Sequence, residues 1–227
     1  MTADESVLLI TKTGPWGDAA VQLGRILLGE RVIVVRGAAG DPLPEQLGEA
    51  DYQAILSFLS PWIIPAAELE RVDLAINFHP GSHHYPGTGC YNFALYEGAE
   101  QYGAVCHYMA PAVDSGPIIS EHLFRVRPGE TVETLKYRTM VVMIEMFHDI
   151  ISRVAEGTEL QSSDVAWSRR AFTRAELNEL HRVTPDMPAE EIKRRRAAVT
   201  YPGFPGVQLV AGDIVLSSEV PQRKPIA

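Results

Sequence analysis

Asn77 and His79 stand two residues apart at the end of the apolar run Val72-Asp73-Leu74-Ala75-Ile76-Asn77-Phe78. In an extended strand, side chains two apart point to the same side. An amide and an imidazole aimed at one spot suit a developing oxyanion. The amide donates one hydrogen bond, and a protonated imidazole donates another with charge. The plainer reading is that Asn77 satisfies a loop backbone and His79 is packed. Asp114, in Ala112-Val113-Asp114-Ser115-Gly116-Pro117, follows another strand candidate. Beside His79 it would keep the imidazole charged and orient water or an amine. Alone, an Asp near a glycine is a turn former.

Other candidates carry less chemistry. His79, His83 and His84 cluster, but Pro80, Gly81, Pro86 and Gly87 break any helix that would bring His79 and His83 together as a metal pair. No acidic or cysteine ligand stands beside them, so no metal is expected. Thr13-Gly14-Pro15-Trp16-Gly17 is neither GxGxxG nor a segment ending in GK[ST]. It reads as a tight turn with Trp16 packed or lining a cleft. Ser57 and Ser60 lie in no GxSxG elbow, which leaves a serine hydrolase without support. Cys90 and Cys106 form no CxxC pair and read as small buried apolar side chains. Lys193-Arg194-Arg195-Arg196 reads as a solvated helix face.

The elements that must hold Asn77, His79 and Asp114 alternate between strand and helix. Val7–Ile10, Arg31–Val35, Tyr52–Leu59 and Val72–Phe78 are strand candidates, with a helix from about Asp18 to Leu28 between the first two. Gly37–Pro44 and Pro80–Gly89 are loops by composition. A helix over Tyr91–Glu97, strands over Gly103–Tyr108 and Ile118–Val126, and a long helix over Thr131–Ala155 complete the body. Thr173-Arg174-Ala175-Glu176 has the pattern of a capping box. Pro188 opens another helix, and Val207–Val210 with Ile214–Ser218 reads as a hairpin. The expected class is α/β: a Rossmann-like, mostly parallel sheet with helices on both faces, plus a small C-terminal helix and β-hairpin extension. In such sheets ligands bind beyond the carboxyl ends of the strands, where Asn77 and His79 fall. The division is a body over 1–165 and an extension over 166–227.

Composition narrows the function. In 227 residues, 46% are hydrophobic and 22% charged, which suits a soluble globular chain with a sizeable core. No run approaches the roughly 20 apolar residues of a membrane helix. Met1–Glu5 is acidic where a secretory leader is basic, so a cytoplasmic protein with reduced cysteines is expected. The net charge of −9 argues against non-specific nucleic-acid binding. The extension is the exception: it carries 10 basic and 7 acidic side chains, a weak sign of an anionic ligand near it.

Asn77-Phe78-His79-Pro80-Gly81, Tyr85–Tyr96, Gly103–Met109 and Val113-Asp114-Ser115-Gly116-Pro117-Ile118-Ile119 together resemble the folate-dependent formyltransferases. The resemblance is strongest to the sugar N-formyltransferases, which act on nucleotide-linked amino sugars. It implies Asn77, His79 and Asp114 as the catalytic triad and 10-formyltetrahydrofolate as co-substrate. It places the pterin near Phe58, Ile63, Ile64, Ala112 and Val113. It places the acceptor amine near the Gly81–Gly89 loop, with His83, His84 and Tyr85, and the nucleotide carrier within reach of Trp16. It also implies a homodimer built through the extension. The loop after His79-Pro80 departs from the family pattern by carrying His83 and His84, and the extension is short for the family. Other readings are a different small-amine acceptor (glycinamide ribonucleotide, hydroxyornithine), a formyltetrahydrofolate hydrolase, or a folate-binding module without turnover. The acidic balance and short extension disfavour a tRNA acceptor.

Overall fold

The computed structural model describes residues 6–49 and 52–221. Residues 1–5, with the acidic start, and the last six, with Arg223 and Lys224, lie outside the described residues. Six strands form the main sheet: β1 (Val7–Lys12), β2 (Val32–Gly37), β3 (Ala54–Phe58), β4 (Leu74–His79), β5 (Gln101–Tyr108) and β6 (Ile118–Arg125). Their order is β2-β1-β3-β4-β5-β6. The first four run parallel, and β5 and β6 are antiparallel. Between the strands stand α1 (Pro15–Leu28), α2 (Gln46–Glu49), α3 (Ala66–Leu69) and α4 (Cys90–Glu97), and α5 (Val132–Ala155) follows β6.

The apolar runs form central strands because both sheet faces are covered. Val7, Leu9, Leu56, Phe58, Ile76, Phe78 and Cys106 face α1 and α5 in one core, where Phe58, Phe78 and Phe147 pack ring against ring. Leu8, Ile10 and Ile55 face the other way, under Leu47 of α2, Leu69 of α3 and the Trp62–Ile64 segment. Helices do stand on both faces, but α2 and α3 are single turns outside every helix read from the sequence. Helix α1 begins at Pro15 rather than Asp18, because proline suits the first turn, where its missing N–H costs nothing. Thr131 caps α5 through the Thr134 backbone N–H.

A second sheet, β7-β8-β9, is built from β7 (Arg182–Val183), β8 (Pro205–Ala211) and β9 (Ile214–Glu219). Helix α6 (Arg174–His181) precedes β7, and α7 (Ala189–Val199) stands between β7 and β8. The predicted capping box is present: Thr173 Oγ accepts from the Glu176 N–H, and Glu176 accepts from the Thr173 N–H. Helix α7 packs on α4, with Asn92 donating to the Ala198 carbonyl at 2.8 Å and the Tyr96 hydroxyl donating to Glu191 at 2.8 Å.

Candidate active site

The site forms where parallel pairing gives way to antiparallel. In the register, Ser57 of β3 and His107 of β5 flank Asn77 of β4. Ser57 donates its hydroxyl to Asn77 Oδ1 at 2.7 Å. That bond orients the amide and aims Nδ2 at His107 Nε2, 3.1 Å away, and at Asp114 Oδ1, 3.4 Å away. Asp114 lies in the loop before β6 in the left-handed region, at φ 45°. Its Oδ2 sits 3.0 Å from His79 Nδ1 and accepts the Gly87 N–H at 2.7 Å. Its Oδ1 is 3.3 Å from His107 Nε2.

The protonation of His79 follows from its partners. Nδ1 faces the Asp114 carboxylate, and Nε2 lies 2.8 Å from the Tyr85 carbonyl oxygen. Both partners are acceptors, so both ring nitrogens carry protons and the imidazole is charged. Burial by itself pushes His79 down, but the Asp114 charge, its hydrogen bond and the Tyr85 carbonyl outweigh burial and raise the pKa above 6.5. Burial likewise pushes the Asp114 carboxyl up. The His79 charge and the hydrogen bonds from His107 and His79 reverse this and hold it well below the usual carboxylate range. His107 Nδ1 donates to the Tyr108 carbonyl at 2.7 Å. In its neutral form His107 Nε2 accepts from Asn77, and in its charged form it donates to Asp114.

Two glycines let the loop after β4 wrap this group. A Cβ on Gly81 would stand 2.5 Å from His79 Nε2 and 2.9 Å from the Tyr85 oxygen. Gly87, at φ 86°, would carry a Cβ 2.5 Å from the Phe172 carbonyl oxygen. Only hydrogen fits at either place, which explains the Pro/Gly-rich composition of Pro80–Gly89.

Asn77, His79, His107 and Asp114 stand at the wall of a cleft of about 550 Å³. Leu59, Ile63, Ile64, Met109 and Val113 give the cleft an apolar wall, while Lys12 and Thr13 line it at the end of β1. Lys12, Asn77 and His79 share one side of the sheet by strand alternation. Lys12 forms no ion pair among the described residues. Burial, then the nearby Lys136 charge, lower its pKa. Among the described residues there is no group of three or more His, Cys, Asp or Glu side chains that could hold a metal ion. Nor is any described helix long and apolar enough to cross a membrane.

The sequence-predicted residues divide. Asn77, His79 and Asp114 come together, and Ile63, Ile64, Ala112 and Val113 line the cleft. Phe58 does not line it. It is 0% exposed in the opposite core, because strand alternation turns it away from Ser57 and toward α5. Nor do Trp16, His83, His84 and Tyr85 line the cleft. Trp16 belongs to the first turn of α1 and packs edge-to-face on Tyr137. His83 turns to Glu121, with Nδ1 at 2.8 Å, and His84 Nδ1 lies 2.9 Å from the Ser168 hydroxyl. Tyr85 is buried and contributes its carbonyl to His79. Cys90 and Cys106 are free and buried, and burial pushes the Cys90 thiol up to about 11. Sequence reasoning missed His107. Its signal was a single imidazole inside the apolar run Gly103–Tyr108.

The fold is that of the formyltransferases. A 4-N formyltransferase from Francisella tularensis superposes with a TM-score of 0.75 at 15% identity, over 98% of this chain and 99% of that one. An N-formyltransferase from Helicobacter canadensis, solved in complex with folinic acid and dTDP-3-aminofucose, gives 0.67 at 17% identity over 84% and 79% of the two chains. Residues 45–151 match the family described as formyl transferase. Phosphoribosylglycinamide formyltransferase of Escherichia coli is 27% identical over 125 residues, 55% of this chain and 56% of that protein. The human trifunctional purine biosynthetic protein adenosine-3 is 32% identical over 84 residues, 37% of this chain and 8% of that protein. The matches thus span less than two thirds of these relatives' own lengths.

Proposed function

We propose that the protein is an N-formyltransferase that moves a formyl group from 10-formyltetrahydrofolate to the amine of a nucleotide-linked amino sugar. The observation that carries the reading is the doubly hydrogen-bonded, charged His79 beside the Asn77 amide at the wall of a half-apolar cleft. Transfer of a formyl group builds negative charge on its oxygen, and two donors aimed at that oxygen contribute a few kcal/mol each. The Asn77 amide N–H is one donor. The His79 Nε2–H, held by the Tyr85 carbonyl, is the other when it turns to the oxygen. Asp114 keeps His79 charged and draws the proton that the attacking amine sheds, directly or through water. The apolar wall of Leu59, Ile63, Ile64, Met109 and Val113 suits the flat face of a pterin.

Lys12 supports an acceptor that carries phosphate. It lies on the third strand from β5, two strand spacings from His79, or roughly 10 Å at about 4.8 Å per spacing. A pyranose ring bridges such a gap between an amine at the formyl group and a phosphate at Lys12. The Helicobacter canadensis relative, crystallised with a folate and a dTDP-amino sugar, supports the same acceptor class. We propose also that two copies pair in the cytoplasm through the C-terminal sheet. The edge strand β9 is exposed along its whole length, and its Leu216 side chain is 61% exposed.

The experiment is a mass-spectrometric transfer assay. The protein and 10-formyltetrahydrofolate are mixed with dTDP- and UDP-linked amino sugars, glycinamide ribonucleotide and hydroxyornithine. Tetrahydrofolate release is followed in parallel without any amine. A formyl mass gain on a nucleotide sugar upholds the reading. A gain confined to glycinamide ribonucleotide or hydroxyornithine, or release that needs no amine, overturns the acceptor class or the transfer itself.

A further inference from the structure

After α5 the chain runs without regular structure over 158–173 and is sewn along the site by its backbone. The Ser163 N–H donates to the Ile118 carbonyl at 2.7 Å, the Ser168 N–H to His83 at 3.2 Å, and the Phe172 N–H to Pro86 at 2.9 Å. This strap carries Trp167 against the rear of the active group. The indole ring stands edge-to-face to His79, at 5.7 Å between centroids, and to His107, at 5.2 Å. Its Nε1–H donates to the Gly116 carbonyl at 2.8 Å, two residues beyond Asp114.

We propose that Trp167 is a positioning residue that holds His79, Asp114 and His107 in register and keeps water from the His79–Asp114 pair. The proposal rests on the reading of His79 as a working donor. The indole has one polar atom, and that atom is spent on Gly116. It therefore presents only hydrocarbon to the two imidazoles. A charged pair shielded from water attracts far more strongly than one in contact with it. The tether to Gly116 also steadies the turn that keeps Asp114 at φ 45°, a conformation that persists only where its surroundings hold it. The charged group facing His79 is Asp114 from the loop before β6, with His107 of β5 on that carboxylate's other oxygen. The neutral partner is the Tyr85 carbonyl.

The test is a pH titration of the full chain labelled with ¹⁵N-histidine, with imidazole signals assigned through His79→Asn and His107→Asn. The native protein should show His79 titrating above 6.5, with an Nδ1–H that exchanges slowly with water. In Trp167→Ala, water weakens the pairing with Asp114. The midpoint then moves down toward 6.5, the Nδ1–H signal is lost to exchange, and formyl turnover falls about tenfold or more. Affinity for folinic acid stays within about twofold, since Trp167 does not line the cleft. Trp167→Phe keeps the hydrocarbon wall, lacks the N–H, and recovers the slow Nδ1–H. If Trp167→Ala does not fold, Trp167→Leu against Trp167→Phe gives the same comparison. An unchanged midpoint and an unchanged Nδ1–H overturn the proposal, as does lost turnover with His79 titrating as in the native protein. The imidazole signals are read whether or not an acceptor is formylated, so failure here is distinct from failure of the transfer reading.

Discussion

Asp114 holds His79 through one carboxylate oxygen and reaches His107 through the other, at 3.0 and 3.3 Å. One buried anion thus orders two imidazoles from different strands, and the Asn77 amide lies against the same group. Burying a carboxylate is costly unless it is paired and hydrogen-bonded. Here the cost is offset by His79, by the Gly87 N–H and by the site's second histidine.

Asp114→Asn preserves shape and removes the charge. On the proposed reading, turnover falls by about 10²- to 10⁴-fold, the range of a lost acid–base group. His79→Asn and Asp114→Ala should abolish turnover with circular dichroism unchanged. Formyl transfer followed by mass spectrometry checks all three. Full activity in any of them removes that residue from the mechanism.

The pH dependence has a defined sign. His79 is raised above 6.5, so its share of stability is complete below 6.5 and is lost as pH rises through the folded value. Asp114 is lowered from 3.8, so its share is present above 3.8 and is lost as pH falls through the depressed value. Urea unfolding across pH should show the native protein's advantage over His79→Asn shrinking on the alkaline side. Turnover should fall there too, as His79 loses its charge. A turnover that rises steadily through that limb would mean that neutral His79 is the working form.

Gly81→Ala places a methyl group against His79 Nε2 and the Tyr85 carbonyl. The loop must move, at a cost of about 1–3 kcal/mol for overpacking. Turnover should fall by up to about 100-fold, as for a displacement near 1 Å. Thermal melting and steady-state kinetics separate the two effects. A variant with native melting and native kinetics would show that the loop accommodates the methyl group freely.

Lys12→Met keeps the length of the side chain and removes its charge. A charge-assisted hydrogen bond of about 1.5–3 kcal/mol corresponds to a rise in acceptor KM of about 10- to 100-fold. The KM for 10-formyltetrahydrofolate should stay level. An effect on the folate alone would assign Lys12 to the folate's carboxylate end.

Leu216→Asp puts charge on the exposed edge strand β9. If two copies pair there, sedimentation velocity should show a dimer for the native chain and a monomer for the variant, with unchanged circular dichroism and a lower melting temperature for the variant, because association stabilises the folded chain. An unchanged sedimentation coefficient would place any dimer contact elsewhere.

The alternating fold was legible because buried parallel strands must be continuously apolar, as Val7–Ile10 is, and because helix starts carry local chemistry, as Thr173 and Glu176 do. Asn77 and His79 were legible as a pair from strand alternation, and their end of β4 from the rule for open sheets. The pairing of Asp114 with His79 was a condition that the sequence could state but not satisfy. Tertiary structure alone decided that β5 lies antiparallel beside β4 and sets His107 against Asn77. It alone turned Phe58 into the far core, drew His83 to Glu121, and brought Trp167 back from beyond α5 to both imidazoles. Periodicity and capping act over a few neighbouring residues, so they are written in the chain's local order. Register between strands and the return of a distant strap depend on which surfaces bury each other, and only the folded chain brings those surfaces together.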